Sequence, residues 1–291
     1  MIRTRVLIGS VLALGAAGVL VGDTLLAQQG FAWFPFLFAA VLFMGVVASR
    51  ELVLLLPEAT RPSRLVVTSG VLLALLANWL PAVRVALGAP PPSPWALLAV
   101  ALAGVLMGAL LVEMRAFGGE VGVAVPRAAL ALFAVGYLGL LPCFFVQVRW
   151  LTLDTTASAV MLALVIFVPK CNDIGAFFTG TFLGKHKMTP VLSPKKTWEG
   201  FAGGTVAGAL AALALAQVAN VFPFGAPEAL AFGVVVGWAG VLGDLAESLV
   251  KRDCSAKDAS KSIPGFGGLL DVTDSVLFAA PVAYLWFLAV L

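Results

Sequence analysis

Residues 226–274 read APEALAFGVVVGWAGVLGDLAESLVKRDCSAKDASKSIPGFGGLLDVTD. The first half is an apolar run of the length that crosses bilayer hydrocarbon as a helix, about 20 residues. From Ser248 onward the same stretch becomes dense in charge. In a membrane-type sequence, carboxylates and cations gather only where they bind ions, phosphates or one another.

The surrounding chain sharpens that contrast. Of its 291 residues, 61% are hydrophobic and only 11% are charged, where a soluble domain carries roughly 25% charged residues. Apolar runs recur at 5–27, 31–49, 64–83, 95–112, 127–148, 157–182, 200–220, 226–248 and 273–291. The expected fold is therefore all-α, a polytopic integral membrane protein of about nine transmembrane helices. The first run follows Met1-Ile2-Arg3-Thr4-Arg5 and is read as a retained helix rather than a cleaved signal. Residues 1–156 form an N-terminal set of about five spans, and 157–291 a C-terminal set with polar loops 183–199 and 249–272. Cys143, Cys171 and Cys254 are too scattered for a disulfide framework or a Cys-based zinc site.

Lys and Arg fall unevenly between the two sides. The N-terminus and the loops after spans two, four, six and eight hold Arg3, Arg5, Arg50, Arg61, Arg64, Arg115, Arg127, Lys185, Lys187, Lys195, Lys196, Lys251, Arg252, Lys257 and Lys261. The opposite side holds Arg84 and Arg149, and Lys170 lies inside the sixth run. By the positive-inside rule the N-terminus and both long polar loops are expected in the cytoplasm. The segment Gly88-Ala89-Pro90-Pro91-Pro92-Ser93-Pro94 is then a stiff outer loop, because successive prolines cannot be helical.

Three polar elements carry the chemistry. Lys170, Asn172 and Asp173 interrupt the sixth run, which marks a site facing the protein interior, unless Lys170 and Asp173 simply neutralise each other at i, i+3. In 183–199, Lys195 and Lys196 suit polyphosphate oxygens, with Ser193 and Thr197 as hydroxyl donors. A generic basic anchor for anionic headgroups would look similar, and Gly200, Gly203 and Gly204 suit close packing of the next span. His186 is the only histidine, which excludes a His-based metal cluster and reads as a solvated loop residue. In the third element Asp244, Glu247, Ser248 and Lys251 share one helix face. The glycines of Pro264-Gly265-Phe266-Gly267-Gly268 permit a tight backbone approach, and Asp271 and Asp274 open the last span. Carboxylates without His or Cys suit a hard cation such as Mg²⁺, or else cap the last helix electrostatically. No GxxxxGK[ST] occurs, nor GxGxxG in a βαβ setting.

The run from Ser248 to Asp274 resembles the signature of phosphatidate cytidylyltransferases, the CDP-diacylglycerol synthases: S-x-x-K-R-x4-K-D, then P-G-H-G-G, then D-R-x-D-S. Ser248, Lys251, Arg252, Lys257, Asp258, Pro264, Gly265, Gly267, Gly268, Asp271, Asp274 and Ser275 fit it. The stretch from Asp173-Ile174-Gly175-Ala176-Phe177 through Gly184-Lys185-His186-Lys187 to Ser193-Pro194-Lys195-Lys196-Thr197-Trp198-Glu199-Gly200 is similar to the same family. The specific likeness covers about the C-terminal 40% of the chain. Phe266 stands where that family usually has His, and Val272 where it usually has Arg. A phosphate acceptor is already ionised near neutral pH and needs no general base, so these departures bear on rate or substrate preference rather than on reaction type.

The resemblance implies cytidylyl transfer from CTP to phosphatidate, giving CDP-diacylglycerol and pyrophosphate for phospholipid synthesis, with Mg²⁺ as cofactor and a second cation left open. It implies Asp244, Ser248, Lys251, Arg252 and Asp271 as catalytic residues, and Asp244, Asp271 and Asp274 as metal ligands. Asp173, Ser193, Lys195, Lys196, Thr197, Lys257 and Asp258 would bind substrate. CTP, phosphatidate and membrane lipid are the expected partners, with no nucleic acid and with a homodimer open. The expected location is the bacterial inner membrane, with the site facing the cytoplasm. Two rivals stay open: a CTP-dependent lipid-alcohol kinase, and a transporter using Lys170, Asp173 and Asp244 as a substrate path.

Overall fold

A computed structural model describes residues 2–290, with side chains from Leu7 onward. Arg3 and Arg5 of the basic-side count thus lie outside the described side chains. The helices are α1 (Ile2–Gln28), α2 (Pro35–Leu55), α3 (Arg64–Ala86), α4 (Pro94–Ala116), and α5 (Ala124–Val135), which continues through a π turn at Gly136–Leu140 into α6 (Leu141–Gln147). There follow α7 (Thr155–Leu183), a hairpin of β1 (Lys187–Thr189) and β2 (Ser193–Thr197), α8 (Trp198–Leu215), α9 (Ala226–Asp253) and α10 (Leu269–Val290). Among the described residues nine helical stretches are long and apolar enough to cross a bilayer, α5 and α6 counting as one. The chain is an all-α integral membrane protein, as its apolar runs predict. Large apolar side chains such as Leu14, Val100 and Met107 are exposed, the arrangement expected where lipid rather than water is the solvent.

Local chemistry sets the helix ends. Pro35 and Pro94 occupy first-turn positions where a missing N–H costs nothing. Ser93, Asp154 and Thr197 accept from first-turn amides of α4, α7 and α8. Two boundaries differ from expectation. Helix α9 runs on to Asp253, so Lys251 and Arg252 sit in its last turn, where the helix dipole favours cations. The 183–199 loop is largely an antiparallel hairpin with Lys187 opposite Thr197.

The chain divides into two compact units. The first runs to Cys143 and adds Asp258–Leu270. In it α3 closes on α4 and α5 through Gly70, where a Cβ would stand 2.8 Å from Val135 and 2.9 Å from Val105. Asp23 of α1 accepts from the amides of Phe36 (2.9 Å) and Leu37 (2.7 Å), satisfying the start of α2.

The second unit comprises Phe144–Lys257 and the chain from Asp271 onward. Here small residues bring backbones together. Gly203 of α8 lies directly against Thr179 of α7. A Cβ on Gly240 of α9 would come within 2.6 Å of Pro169. Pro169 sits inside α7 and has no N–H of its own to satisfy.

Candidate active site

The second unit collects charge from four elements. From α9, Asp244, Glu247 and Lys251 project on one face, as their i, i+3, i+7 spacing requires. From α10 come Asp271, Asp274 and Ser275, from α7 Lys170 and Asp173, and from the end of the hairpin Lys196.

Their ion pairs are short and interlocked. Lys251 Nζ donates to Glu247 (2.8 Å) and Asp271 (2.6 Å), all three side chains being at most one-tenth exposed. Lys196 Nζ lies 2.8 Å from Asp244. Lys170 Nζ donates to Ser275 Oγ at 2.7 Å and stands 3.6 Å from Asp274 and 3.8 Å from Asp173. Lys170 and Asp173 are thus more than a self-neutralising pair, since the lysine also holds α10. Five carboxylates face three lysines, which leaves the cluster two positive charges short when all are ionised.

At its centre, carboxylate oxygens of Asp244, Glu247 and Asp274 lie within 4.8 Å of one another. Glu247 is 1% exposed, and its second oxygen, Oε1, finds no hydrogen-bond partner among the described residues. A buried carboxylate oxygen without a hydrogen-bond partner is costly. An oxygen-only donor set, an orphaned carboxylate oxygen and a shortfall of positive charge together fit a hard divalent cation.

Of the residues singled out by sequence, the structure brings Asp173, Lys196, Asp244, Lys251, Asp271 and Asp274 into this network, with Ser248 buried on the same helix. Others lie apart from these ion pairs. Arg252 turns to the backbone oxygens of Leu192 (3.5 Å) and Ala256 (3.0 Å). Lys195 and Lys257 are exposed, Ser193 is half-buried, and Asp258 is an exposed residue of the first unit. Thr197 is buried, its hydroxyl accepting from Gly200 N (3.1 Å) to cap α8. His186 is exposed and meets Glu199 at 2.5 Å, while Glu199 also accepts the Lys185 and His186 amides. It braces the base of the hairpin that carries Lys196.

Sequence reasoning assigned no role to Glu247 or Ser275, and it marked Lys170 as part of an interior polar site without giving it a catalytic or binding role. The signal for Glu247 was its place on the Asp244 face. For Lys170 it was an unneeded charge inside a span.

A model of the cytidylyltransferase family matches residues 3–290. Among curated relatives, the phosphatidate cytidylyltransferase of Bacillus subtilis (strain 168) is 38% identical over 148 residues, 51% of this chain and 54% of that protein. That of Staphylococcus aureus (strain COL) is 36% identical over 155 residues, 53% and 57% of the two chains. An uncharacterized Escherichia coli (strain K12) protein, YnbB, is 35% identical over 133 residues, 46% and 44%. The chain spans about half the length of the curated relatives it matches.

Proposed function

We propose, for a chain that belongs to the cytidylyltransferase family, that it transfers the cytidylyl group of CTP to phosphatidate and releases pyrophosphate. The observation that carries this reading is the trio Asp244, Glu247 and Asp274 with an unpartnered buried oxygen, edged by Lys196 and Lys251. The first relatives named phosphatidate cytidylyltransferases lend the substrate.

In this reading Asp244, Glu247 and Asp274 would hold Mg²⁺, and Asp271, engaged by Lys251, stands beside them. Bound there, the cation supplies neutralisation of phosphate oxygens and a template for in-line displacement. The chain's own residues do the rest. A phosphatidate oxygen attacks the α-phosphorus of CTP, and the bond to the bridging oxygen breaks with its electron pair leaving on pyrophosphate. Lys196 and Lys251 meet the charge gathering on the leaving group. The acceptor oxygen is already ionised, so no side chain need remove a proton. Ile174, Phe177 and Phe178, next to Asp173 along α7, are exposed and apolar, which suits an acceptor whose acyl chains stay in the bilayer. The positive-inside pattern supports a site facing the cytoplasm, where CTP is made available.

The test follows label from CTP carrying α-phosphate label into lipid, with purified protein, phosphatidate and Mg²⁺. Label enters the lipid, and Asp274→Asn or the Asp244→Ala, Asp271→Ala pair abolishes it. With a polyprenol supplied as well, release of CDP and formation of a phosphorylated polyprenol, with no label in the lipid, would instead identify a lipid-alcohol kinase and overturn this reading.

A further inference from the structure

Glu51, near the end of α2, has no part in the network above. It is 6% exposed, and among the described residues its hydrogen bonds go to one segment of its own unit. Oε1 accepts from Ser260 Oγ (2.7 Å) and Ser262 Oγ (2.5 Å). Oε2 accepts from Leu270 N (2.9 Å). Gly268 packs on the same oxygen, since a Cβ there would stand 2.6 Å from Oε2. One carboxylate therefore holds both ends of the loop 260–270.

Within that loop the chain folds back on itself. Ile263 and Gly267 exchange backbone hydrogen bonds at 2.7 and 3.0 Å. Gly265 and Gly267 take positive φ of 86° and 105°, a conformation glycine adopts without strain. Phe266, at the tip, lies beside α1, where a Cβ on Gly9 would be 3.4 Å from its ring. Leu270 N is one of the first-turn amides of α10 that its own helix cannot satisfy. Glu51 caps α10 from another helix, with charge of the sign that the helix N-terminus favours.

We propose that Glu51 is a positioning residue: it ties the loop 260–270 closed and fixes where α10 begins, and thereby the helical phase at which Asp271 and Asp274 follow. The effect on turnover rests on the reaction proposed above, whereas the clamp itself does not.

The experiment is amide hydrogen exchange on detergent-purified wild type and Glu51→Gln, read on peptides covering 257–275, alongside cytidylyl transfer. Glutamine keeps the shape but replaces one acceptor oxygen by a donor, which removes charge-assisted bonds. Exchange at 260–274 rises roughly tenfold or more, while peptides of the 187–197 hairpin are unchanged. Turnover falls by a similar factor with little change in KM for CTP. Ser260→Ala with Ser262→Ala gives part of the effect, and adds little to Glu51→Gln, because the groups act through one another. Unchanged exchange at 260–274, a rise shared by the hairpin, or a loosened loop with undiminished turnover would each overturn the proposal. A wild type that transfers no label would sink the reaction instead, and the exchange data would still decide the clamp.

Discussion

Lys251 is the residue on which the candidate site most depends for stability. Its ammonium is the shared partner of two carboxylates, Glu247 and Asp271, in surroundings that water hardly reaches. Removing one member of a buried ion pair leaves the others uncompensated, which costs more than the pair itself contributes. Lys251→Met is expected to lower stability by about 3 kcal/mol or more, seen as a lower thermal midpoint in detergent. Adding Glu247→Gln recovers part of the loss, since a neutral amide tolerates burial better. The cysteines play no comparable role. The Cys254 thiol is held above its ordinary pKa by burial and then by Asp253, so it is not poised as a thiolate nucleophile.

At the scale of elements, the packing of α7 on α8 is set by glycine. Gly203 faces Thr179 with no room for a side chain, whereas a Cβ on Gly104 of α4 would meet no atom of the described residues within 4 Å. Gly203→Leu is therefore expected to yield protein that aggregates or melts many degrees lower in detergent, and Gly104→Leu to behave as wild type. Size-exclusion profiles of the two variants check the contrast. The sequence signalled Gly203, with Gly200 and Gly204, as a close-packing residue, and periodicity placed Asp244, Glu247, Ser248 and Lys251 on one face. It gave no hint of the hairpin, because Lys187–Thr189 and Ser193–Thr197 are short and polar, with none of the alternation that marks a strand. That Thr197 caps α8 rather than standing free for phosphate is likewise a fact of backbone geometry.

On the scale of the whole molecule, nine helical stretches among the described residues are long and apolar enough to span a bilayer, and an odd number of crossings is expected to leave the loops on alternate faces. The lysine and arginine distribution predicts which is which. Reporter fusions or cysteine labelling at Lys187 and Lys257 are expected to show the cytoplasmic side, and at Pro91 the opposite one. An outward Lys257 would remove CTP from the site's reach and defeat the proposed reaction.

The amino-acid sequence by itself determined that this is a polytopic helical membrane protein of the cytidylyltransferase family. Both facts are written locally, in runs of apolar residues and in contiguous motifs. Tertiary structure alone decided which charges meet. Lys170 reaches Ser275 across 105 positions of sequence, Lys196 comes within ion-pair distance of Asp244, and Glu51 binds a loop more than 200 residues away. Such partnerships depend on how helices cross and where glycines let them approach, and a linear pattern carries no measure of that distance.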